Sequence, residues 1–180
     1  AGTGSELIDL AQAFPQWQLT AVEPAAPMLE ICRRRAEDQG IASRCTFHEG
    51  YLDSLPASVS FDAATSILVS QFIMQPDVRR HFFRQIAARL RPGGYLVSSD
   101  LASDMSAPAF KSLFEVWGRT MKYSGLPAEE VEKRLASFGR NVAVLPPREI
   151  EAILVSSGFG TPVLFYQSLH IHAWYSKLTS

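Results

Sequence analysis

Cysteine is scarce in this sequence of 180 residues, which contains only Cys32 and Cys45. Their spacing fits neither a disulfide framework nor a metal motif, so we expect two reduced thiols and a cytoplasmic protein. No apolar run approaches the length of a membrane span, and the first residues lack the basic-then-apolar pattern of a signal peptide. The formal net charge of -1 gives no overall attraction to nucleic acid. With 47% apolar and 19% charged residues, the composition is that of a soluble globular domain.

Clusters that would bind nucleic acid or metal are also missing. Residues 33–35 are three arginines, but acidic residues flank them and no aromatic residues are interleaved, so a solvated helix face explains them better than a nucleic-acid site. We find no metal constellation. For each histidine a structural or surface role is favoured over that of a catalytic base, because no pair combines a strand-end location with a clear place in a cleft. These histidines are His48, His81, His170 and His172.

Helix and strand patterns alternate along the first hundred residues. Such alternation predicts an α/β fold of the Rossmann-like kind, a mostly parallel twisted sheet with helices on both faces and right-handed crossovers. Helices are predicted over residues 5–14, 27–39 and 77–90, and strands over 18–22, 44–48, 61–68 and 95–99.

The remaining residues predict a different arrangement within what we take as one domain, residues 1–180. Two helices, 107–123 and 127–138, follow the fourth strand and would lie over the carboxyl edge of the sheet, where open α/β sheets bind ligands. We therefore predict a helical cap inserted over residues 104–145. A last helix over 148–157 and an antiparallel hairpin of strands 162–167 and 169–174 close the chain.

A glycine loop and an acidic residue predict an adenosine-type ligand. Gly2, Thr3 and Gly4 precede the first helix, whose N-terminus would face a ligand close to the backbone. Glu23 follows about twenty residues later at the end of the next strand, where a carboxylate accepts hydrogen bonds from ribose hydroxyls. Each feature has a structural alternative: the glycines could form only a tight turn, and Glu23 could be an ordinary solvated residue at a strand end. The absence of a third glycine, and the charge of Glu6, disfavour the pyrophosphate of a nicotinamide dinucleotide and favour a zwitterionic tail.

These motifs, in this order, resemble the class I S-adenosylmethionine-dependent methyltransferases. AGTG resembles the end of that family's glycine loop, LTAVEP its second strand with the ribose-binding acid, and PAAPMLEICRRRA the following helix. FHEGYLDSLP resembles the adenine loop, SFDAATSILVSQF the fourth strand, LRPGGYLVSSD the turn into the fifth, and SSGFGTPVLFYQSLHIHAWYSK the closing hairpin. In that family a central strand precedes the glycine loop, so we expect such a strand, ending in an acidic residue, ahead of Ala1.

The resemblance implies S-adenosyl-L-methionine as cofactor and S-adenosyl-L-homocysteine as product. The family often has Gly-Asp at the adenine loop, where this chain has Gly50-Tyr51 with Asp53 beyond; either Asp53 takes the polar role or Tyr51 packs on the adenine, and we favour Tyr51. The cofactor residues implied are Gly2, Thr3, Gly4, Glu23, Pro24, Met28, Tyr51, Leu52, Ser66 and Ile67.

A second resemblance concerns the cap. The run FEVWGRTMKYSGLPAEEVEKR is similar to the carboxy-S-adenosylmethionine synthases, which serve wobble-uridine modification of transfer RNA. In that branch a cap arginine binds the additional carboxylate, and Arg119 falls at the matching position with Tyr123 nearby; guanidinium recognises carboxylate bidentately. Gln71 lies just beyond the strand that resembles the family's fourth strand, and it would either face the substrate or cap the next element.

The sequence identifies no catalytic residue. This is compatible with methyl transfer from a sulfonium, because the donor is already activated and positioning and desolvation can supply most of the rate without a strong base. The leading hypothesis is a methyltransferase acting on a small molecule beneath the cap. A carboxy-S-adenosylmethionine synthase relative and a non-catalytic S-adenosylmethionine-binding protein are the alternatives, and an NAD-dependent oxidoreductase ranks below them. We expect no membrane association and no direct nucleic-acid binding; a homodimer remains open.

Overall fold

The computed structural model describes residues 1–56 and 60–179 and has an α/β fold. Its residues fall into two compact units that divide after residue 59, and each unit is described by itself. Among the described residues, no helix is long and apolar enough to cross a membrane. The expectation of a single domain over residues 1–180 stays a prediction.

The first unit is a pair of parallel strands with two helices. The strands pair in register from Leu19 opposite Cys45 to Glu23 opposite Glu49, so both strands end at the same level. The core contains the apolar faces of both helices, which is the consequence of their amphipathic spacing. The elements are α1 (Ser5–Ala13), β1 (Leu19–Glu23), α2 (Ala26–Asp38) and β2 (Cys45–Glu49).

The second unit is a four-stranded mixed sheet with four helices along its described chain. The strand order is β3-β4-β6-β5; β3 and β4 are parallel, whereas β6 is antiparallel to both of its neighbours. The predicted closing hairpin is thereby confirmed. The elements are β3 (Phe61–Ile67), α3 (Pro76–Ala87), β4 (Leu90–Leu101), α4 (Pro108–Tyr123), α5 (Ala128–Ala136), α6 (Pro147–Ser156), β5 (Val163–Ser168) and β6 (Ile171–Lys177).

Strand β4 is longer than the sequence predicts. Its first residue is Leu90, which pairs with Phe61, and the backbone N–H of Phe61 donates to the carbonyl of Arg89 at 2.8 Å. The Arg-Pro-Gly-Gly segment, which by its resemblance was expected to be a turn ahead of the strand, lies inside this strand, where the register with β3 shifts. The prediction of a strand starting at residue 95 was therefore wrong, because cross-strand pairing overrides the local turn signal of Pro-Gly.

Helices α3 and α6 pack together in the second unit. Phe83 and Ile150 are fully buried there, as is Trp174 of β6, whose indole N–H donates to Glu151 Oε1 at 3.1 Å. A separate apolar cluster centres on Leu101 and receives Trp117 from α4. Helices α4 and α5 lie within the predicted 104–145 insertion; their function as a cap stays a prediction.

Candidate cofactor and acceptor sites

The glycine loop, residues 1–4, has two glycines in the left-handed region, and they serve different purposes. Gly2 has φ +56° and Gly4 has φ +83°. A Cβ on Gly4 would lie 2.5 Å from the Cys32 sulfur, so Gly4 lets α1 approach α2 closely. A Cβ on Gly2 would meet no atom within 4 Å. Gly2 is therefore the position at which a ligand can approach the backbone without obstruction.

Glu23 connects the end of β1 to this loop. The backbone N–H of Gly2 donates to its Oε2 at 2.8 Å and that of Ala25 to its Oε1 at 3.0 Å. Burial alone would raise the pKa of Glu23, but the hydrogen bonds from the Gly2 and Ala25 backbone lower it below its ordinary value, so the side chain is anionic at neutral pH. The side chain keeps 12% of its surface exposed. An ionised carboxylate has about four lone-pair sites, so Glu23 can still accept a hydrogen bond from a ligand hydroxyl.

Arg35 of α2 contacts the glycine loop, a role that the sequence analysis missed. Its Nη1 donates to the Thr3 carbonyl at 2.9 Å and to the Ser5 hydroxyl at 3.1 Å. The prediction that residues 33–35 form a solvated face therefore holds for Arg33 and Arg34, which are exposed, and is wrong for Arg35. Three consecutive arginines span about 200° of a helix, so one can point inward. The available signal was the apolar spacing around Arg35, with Cys32 three residues before it and Ala36 directly after it, and both of these are buried.

The predicted adenine-side residues lie beyond the carboxyl ends of β1 and β2. The backbone N–H of Gly50 donates to the Glu23 carbonyl at 3.1 Å, which connects the two segments. The ring of Tyr51 is 72% exposed and the side chain of Met28 is 43% exposed. Both apolar surfaces are thus available for packing on a planar ligand. Of the other two predicted residues, Pro24 is exposed and Leu52 is half-buried.

His48 holds this segment in shape. Its Nε2 hydrogen-bonds the Ser54 hydroxyl at 2.8 Å, and that hydroxyl donates to the Tyr51 carbonyl at 2.7 Å. Asp53 makes no hydrogen bond among the residues that the structure describes. This geometry supports the structural role that the sequence favours for His48.

In the second unit, Ser66 and Ile67 end strand β3 as expected. Ser66 is buried, and its hydroxyl has no hydrogen-bond partner in the described part of the chain. Ile67 is 38% exposed. Gln71 lies in the 3₁₀ turn Ser70–Phe72; it is buried, and its Oε1 accepts from the Leu101 backbone N–H at 3.1 Å. Of the two roles considered for Gln71, the geometry favours capping over substrate contact.

Arg119 and Tyr123 both lie exposed on α4. Tyr123 keeps 95% of its surface, and neither side chain forms a hydrogen bond with a residue that the structure describes. Arg119 lines a groove of about 390 Å³ between α4 and α5, together with Lys122, Glu115 and Glu132. The side chains of Arg119 and Tyr123 are therefore both free to contact a ligand. The groove itself does not indicate which ligand that would be.

The other histidines occupy structural or surface positions. His81 is exposed on α3 and lies 3.3 Å from the Gln85 side chain. His170 is fully buried and stacks on Trp117 with ring centroids 5.3 Å apart, while His172 stacks on Trp174 at 5.7 Å. Burial lowers the pKa of both His170 and His172. No metal-binding group of three or more His, Cys, Asp or Glu occurs within residues 1–56 and 60–179.

The fold and the glycine-loop geometry define the class of S-adenosylmethionine-dependent methyltransferases, and the comparisons agree. The chain belongs to the methyltransferase domain family, whose model matches residues 1–94. It is 25% identical over 177 residues to the biotin biosynthesis bifunctional protein BioHC of Teredinibacter turnerae, an alignment covering 93% of this chain and 28% of that protein.

Solved structures show the same fold. The S-adenosylmethionine-dependent methyltransferase SibL superposes with a TM-score of 0.72 at 17% identity, over 99% of this chain and 48% of SibL. The mitomycin 7-O-methyltransferase MmcR superposes with a TM-score of 0.72 at 21% identity, over 99% of this chain and 47% of MmcR. The chain thus spans about half the length of these structures, and a smaller share of BioHC.

S-adenosyl-L-methionine is the cofactor of this class, and the first unit fits it. The open approach at Gly2, the anionic Glu23 and the exposed apolar surfaces of Met28 and Tyr51 suit a ligand with a ribose diol and an adenine ring. No side chain caps the N-terminus of α1, so its first N–H groups remain available to a carboxylate. The similarity to carboxy-S-adenosylmethionine synthases stays a prediction.

Proposed function

We propose that the chain is the cofactor-binding part of a methyltransferase that transfers a methyl group from S-adenosyl-L-methionine to a small-molecule acceptor. The observation that carries the proposal is Glu23: an anionic carboxylate at a strand end, hydrogen-bonded to the backbone of a glycine loop whose outer side is open. A carboxylate that was merely solvated at a strand end would not accept a hydrogen bond from the backbone of the loop. Family membership supports the same activity.

The cofactor supplies an activated methyl group on a sulfonium. The residues of this chain bind and orient, since an in-line displacement depends on the alignment of the reacting atoms. Glu23 holds the ribose hydroxyls, while Tyr51 and Met28 enclose the adenine and exclude water from it.

For the acceptor, we assign Arg119 and Tyr123 of α4 as candidate contacts. Their support is that both are exposed and unpartnered among the described residues and follow the strand whose carboxyl end carries ligands in open α/β sheets. Arg119 would pair with an acceptor carboxylate. Replacement by glutamine would then weaken acceptor binding while leaving cofactor affinity unchanged.

The test is calorimetric titration of the full chain with S-adenosyl-L-homocysteine, before and after Glu23→Gln. A hydrogen bond to a charged group contributes about 1.5–3 kcal/mol, so we expect affinity to fall by roughly 10- to 150-fold. Thermal denaturation of the variant shows whether the loss comes from binding or from unfolding.

Glu49→Gln is the matched control, because Glu49 occupies the same register position on β2, is exposed and lacks the loop contacts. Its affinity should stay within about twofold. Equal affinities for the Glu23 and Glu49 variants would remove Glu23 from the site. A native chain that does not bind S-adenosyl-L-homocysteine would contradict the proposed function.

A further inference from the structure

The glycine loop contains a tight turn that its two glycines permit. The N–H of Gly4 donates to the carbonyl of Ala1 at 3.2 Å, which closes the turn and orients the peptide between Thr3 and Gly4. Gly2 and Gly4 flank Thr3 with φ values of +56° and +83°. Because glycine has no Cβ, its backbone can also adopt other conformations at little steric cost. The loop therefore needs a contact from outside to hold this peptide in one orientation.

Arg35 of α2 supplies such a contact. Its Nη1 donates to the Thr3 carbonyl at 2.9 Å, to the Ser5 hydroxyl at 3.1 Å and to Thr3 Oγ1 at 3.4 Å. The side chain is half-buried, whereas Arg33 and Arg34 beside it are exposed. One guanidinium thus joins the loop to the first residue of α1 and holds the Thr3 carbonyl toward α2.

The orientation of the Thr3 carbonyl matters because the N–H groups beside it are unused donors. The first backbone bond that closes α1 runs from the Ile8 N–H to the Gly4 carbonyl at 3.0 Å. In the part of the chain that the structure describes, the N–H groups of residues 5–7 donate to no acceptor. A carbonyl turned outward would place a partial negative charge beside these donors and repel a carboxylate. The amino-acid tail of S-adenosyl-L-methionine carries such a carboxylate.

The adenosine end of the proposed site is held by other contacts. Backbone N–H groups hold Glu23, and His48 holds the segment of Tyr51 through a serine hydroxyl. Among residues 1–56 and 60–179, no side-chain hydrogen bond of Arg35 reaches Glu23 or Tyr51. Loss of the Arg35 contact should therefore affect one end of the cofactor and leave the other end in place.

We infer that Arg35 is a positioning residue for the cofactor's amino-acid tail. By holding the Thr3 carbonyl toward α2, it keeps the outer side of the loop and the start of α1 as donors for the carboxylate. The inference rests on the proposed function and adds a residue that acts on the tail through the loop, without touching the cofactor.

The experiment compares two ligands by calorimetric titration of the full chain. S-adenosyl-L-homocysteine has the amino-acid tail, whereas 5′-methylthioadenosine has the same adenosine and thioether sulfur without it. Arg35→Met keeps an apolar stem but removes the charge and the donors. It should weaken binding of S-adenosyl-L-homocysteine by about tenfold or more, the loss expected for a hydrogen bond to a charged group, and change the affinity for 5′-methylthioadenosine by less than about twofold.

Arg34→Met is the matched control, because it makes the same charge change one residue earlier on α2. The Arg34 side chain is 68% exposed, lies 3.9 Å from Glu30 and has no bond to the loop. An exposed pair of this kind contributes little, so affinity for both ligands should stay within about twofold of the native chain. The control separates a positive charge on α2 from the contact with the loop.

Ser5→Ala tests the same contact without changing Arg35. It removes one acceptor and leaves the Thr3 carbonyl bonded, so it should weaken binding of S-adenosyl-L-homocysteine less than Arg35→Met does. In the Arg35→Met background the same change should have no further effect, because both residues act through one contact. If Arg35→Met does not fold in thermal denaturation, Ser5→Ala alone decides, and an unchanged ratio of the two ligand affinities would overturn the inference.

An equal loss of both ligands in folded Arg35→Met would indicate a general structural role and overturn the inference, as would unchanged binding of S-adenosyl-L-homocysteine. An equal loss in Arg34→Met would reduce the effect to net charge and also overturn it. A native chain that binds neither ligand contradicts the proposed function itself, so the two failures are distinguishable.

Discussion

The sharpest structural prediction concerns Gly4. A methyl group added there would lie 2.5 Å from Cys32 Sγ, 3.2 Å from Cys32 Cβ and 3.3 Å from Cys32 Cα. The last contact is with backbone, so rotation of the Cys32 side chain cannot relieve it. The left-handed conformation costs an L-residue about 1–2 kcal/mol, and overpacking costs about 1–3 kcal/mol. Gly4→Ala should therefore lower the free energy of unfolding by about 2–5 kcal/mol.

The assay is thermal and urea denaturation followed by circular dichroism. Gly2→Ala is the control, because its φ of +56° incurs the conformational cost while its Cβ meets no atom. The double variant Gly4→Ala with Cys32→Ala removes the sulfur contact and should recover part of the packing loss, leaving the backbone cost. If Gly4→Ala destabilises no more than Gly2→Ala, the close approach of α1 and α2 is not as described.

Two further predictions concern the second unit. The pKa of His170 is lowered in the folded chain, first by burial and then by His172, so the unfolded chain binds more protons below pH about 6.5. The free energy of unfolding should therefore fall as pH drops below that value, by at most about 1.4 kcal/mol per pH unit for this group. His170→Leu should flatten that dependence in denaturation titrations, and an unchanged slope would refute the assignment. Glu151→Ala leaves the buried Trp174 indole N–H without its acceptor and should cost about 1–3 kcal/mol, whereas Glu151→Gln should cost less.

Features governed by local pattern could be predicted from the sequence. Helix α2 begins in the turn that contains Pro27 and ends just before Gly40, as the proline and glycine positions indicate. The pairing of β5 with β6 was predicted from two short apolar runs separated by a tight turn. Parallel strands β1 and β2 follow from the alternation of strand and helix. In each case backbone preference and apolar periodicity agree, so no distant residue has to be known.

Features decided by tertiary contacts could not be predicted. Arg35 reads as one of three solvated arginines until its bonds to Thr3 and Ser5 are seen. The extension of β4 to Leu90 depends on Phe61, almost thirty residues earlier. The interior role of Gln71 depends on Leu101. Each partner is distant in sequence, so it cannot be identified from the local spacing of residues.

Glu23 and Asp100 show why a carboxylate at a strand end is an ambiguous signal in sequence. Both lie near the carboxyl ends of parallel strands, where ligands bind in open α/β sheets. The partners of Glu23 include backbone N–H groups of an adjacent loop, and part of its surface is open. Asp100 is fully buried and bonded to the side chains of Arg79 and Ser70. The Asp100 oxygens are bonded to these buried side chains and are not available to a ligand, whereas Glu23 keeps an accessible acceptor for a hydroxyl.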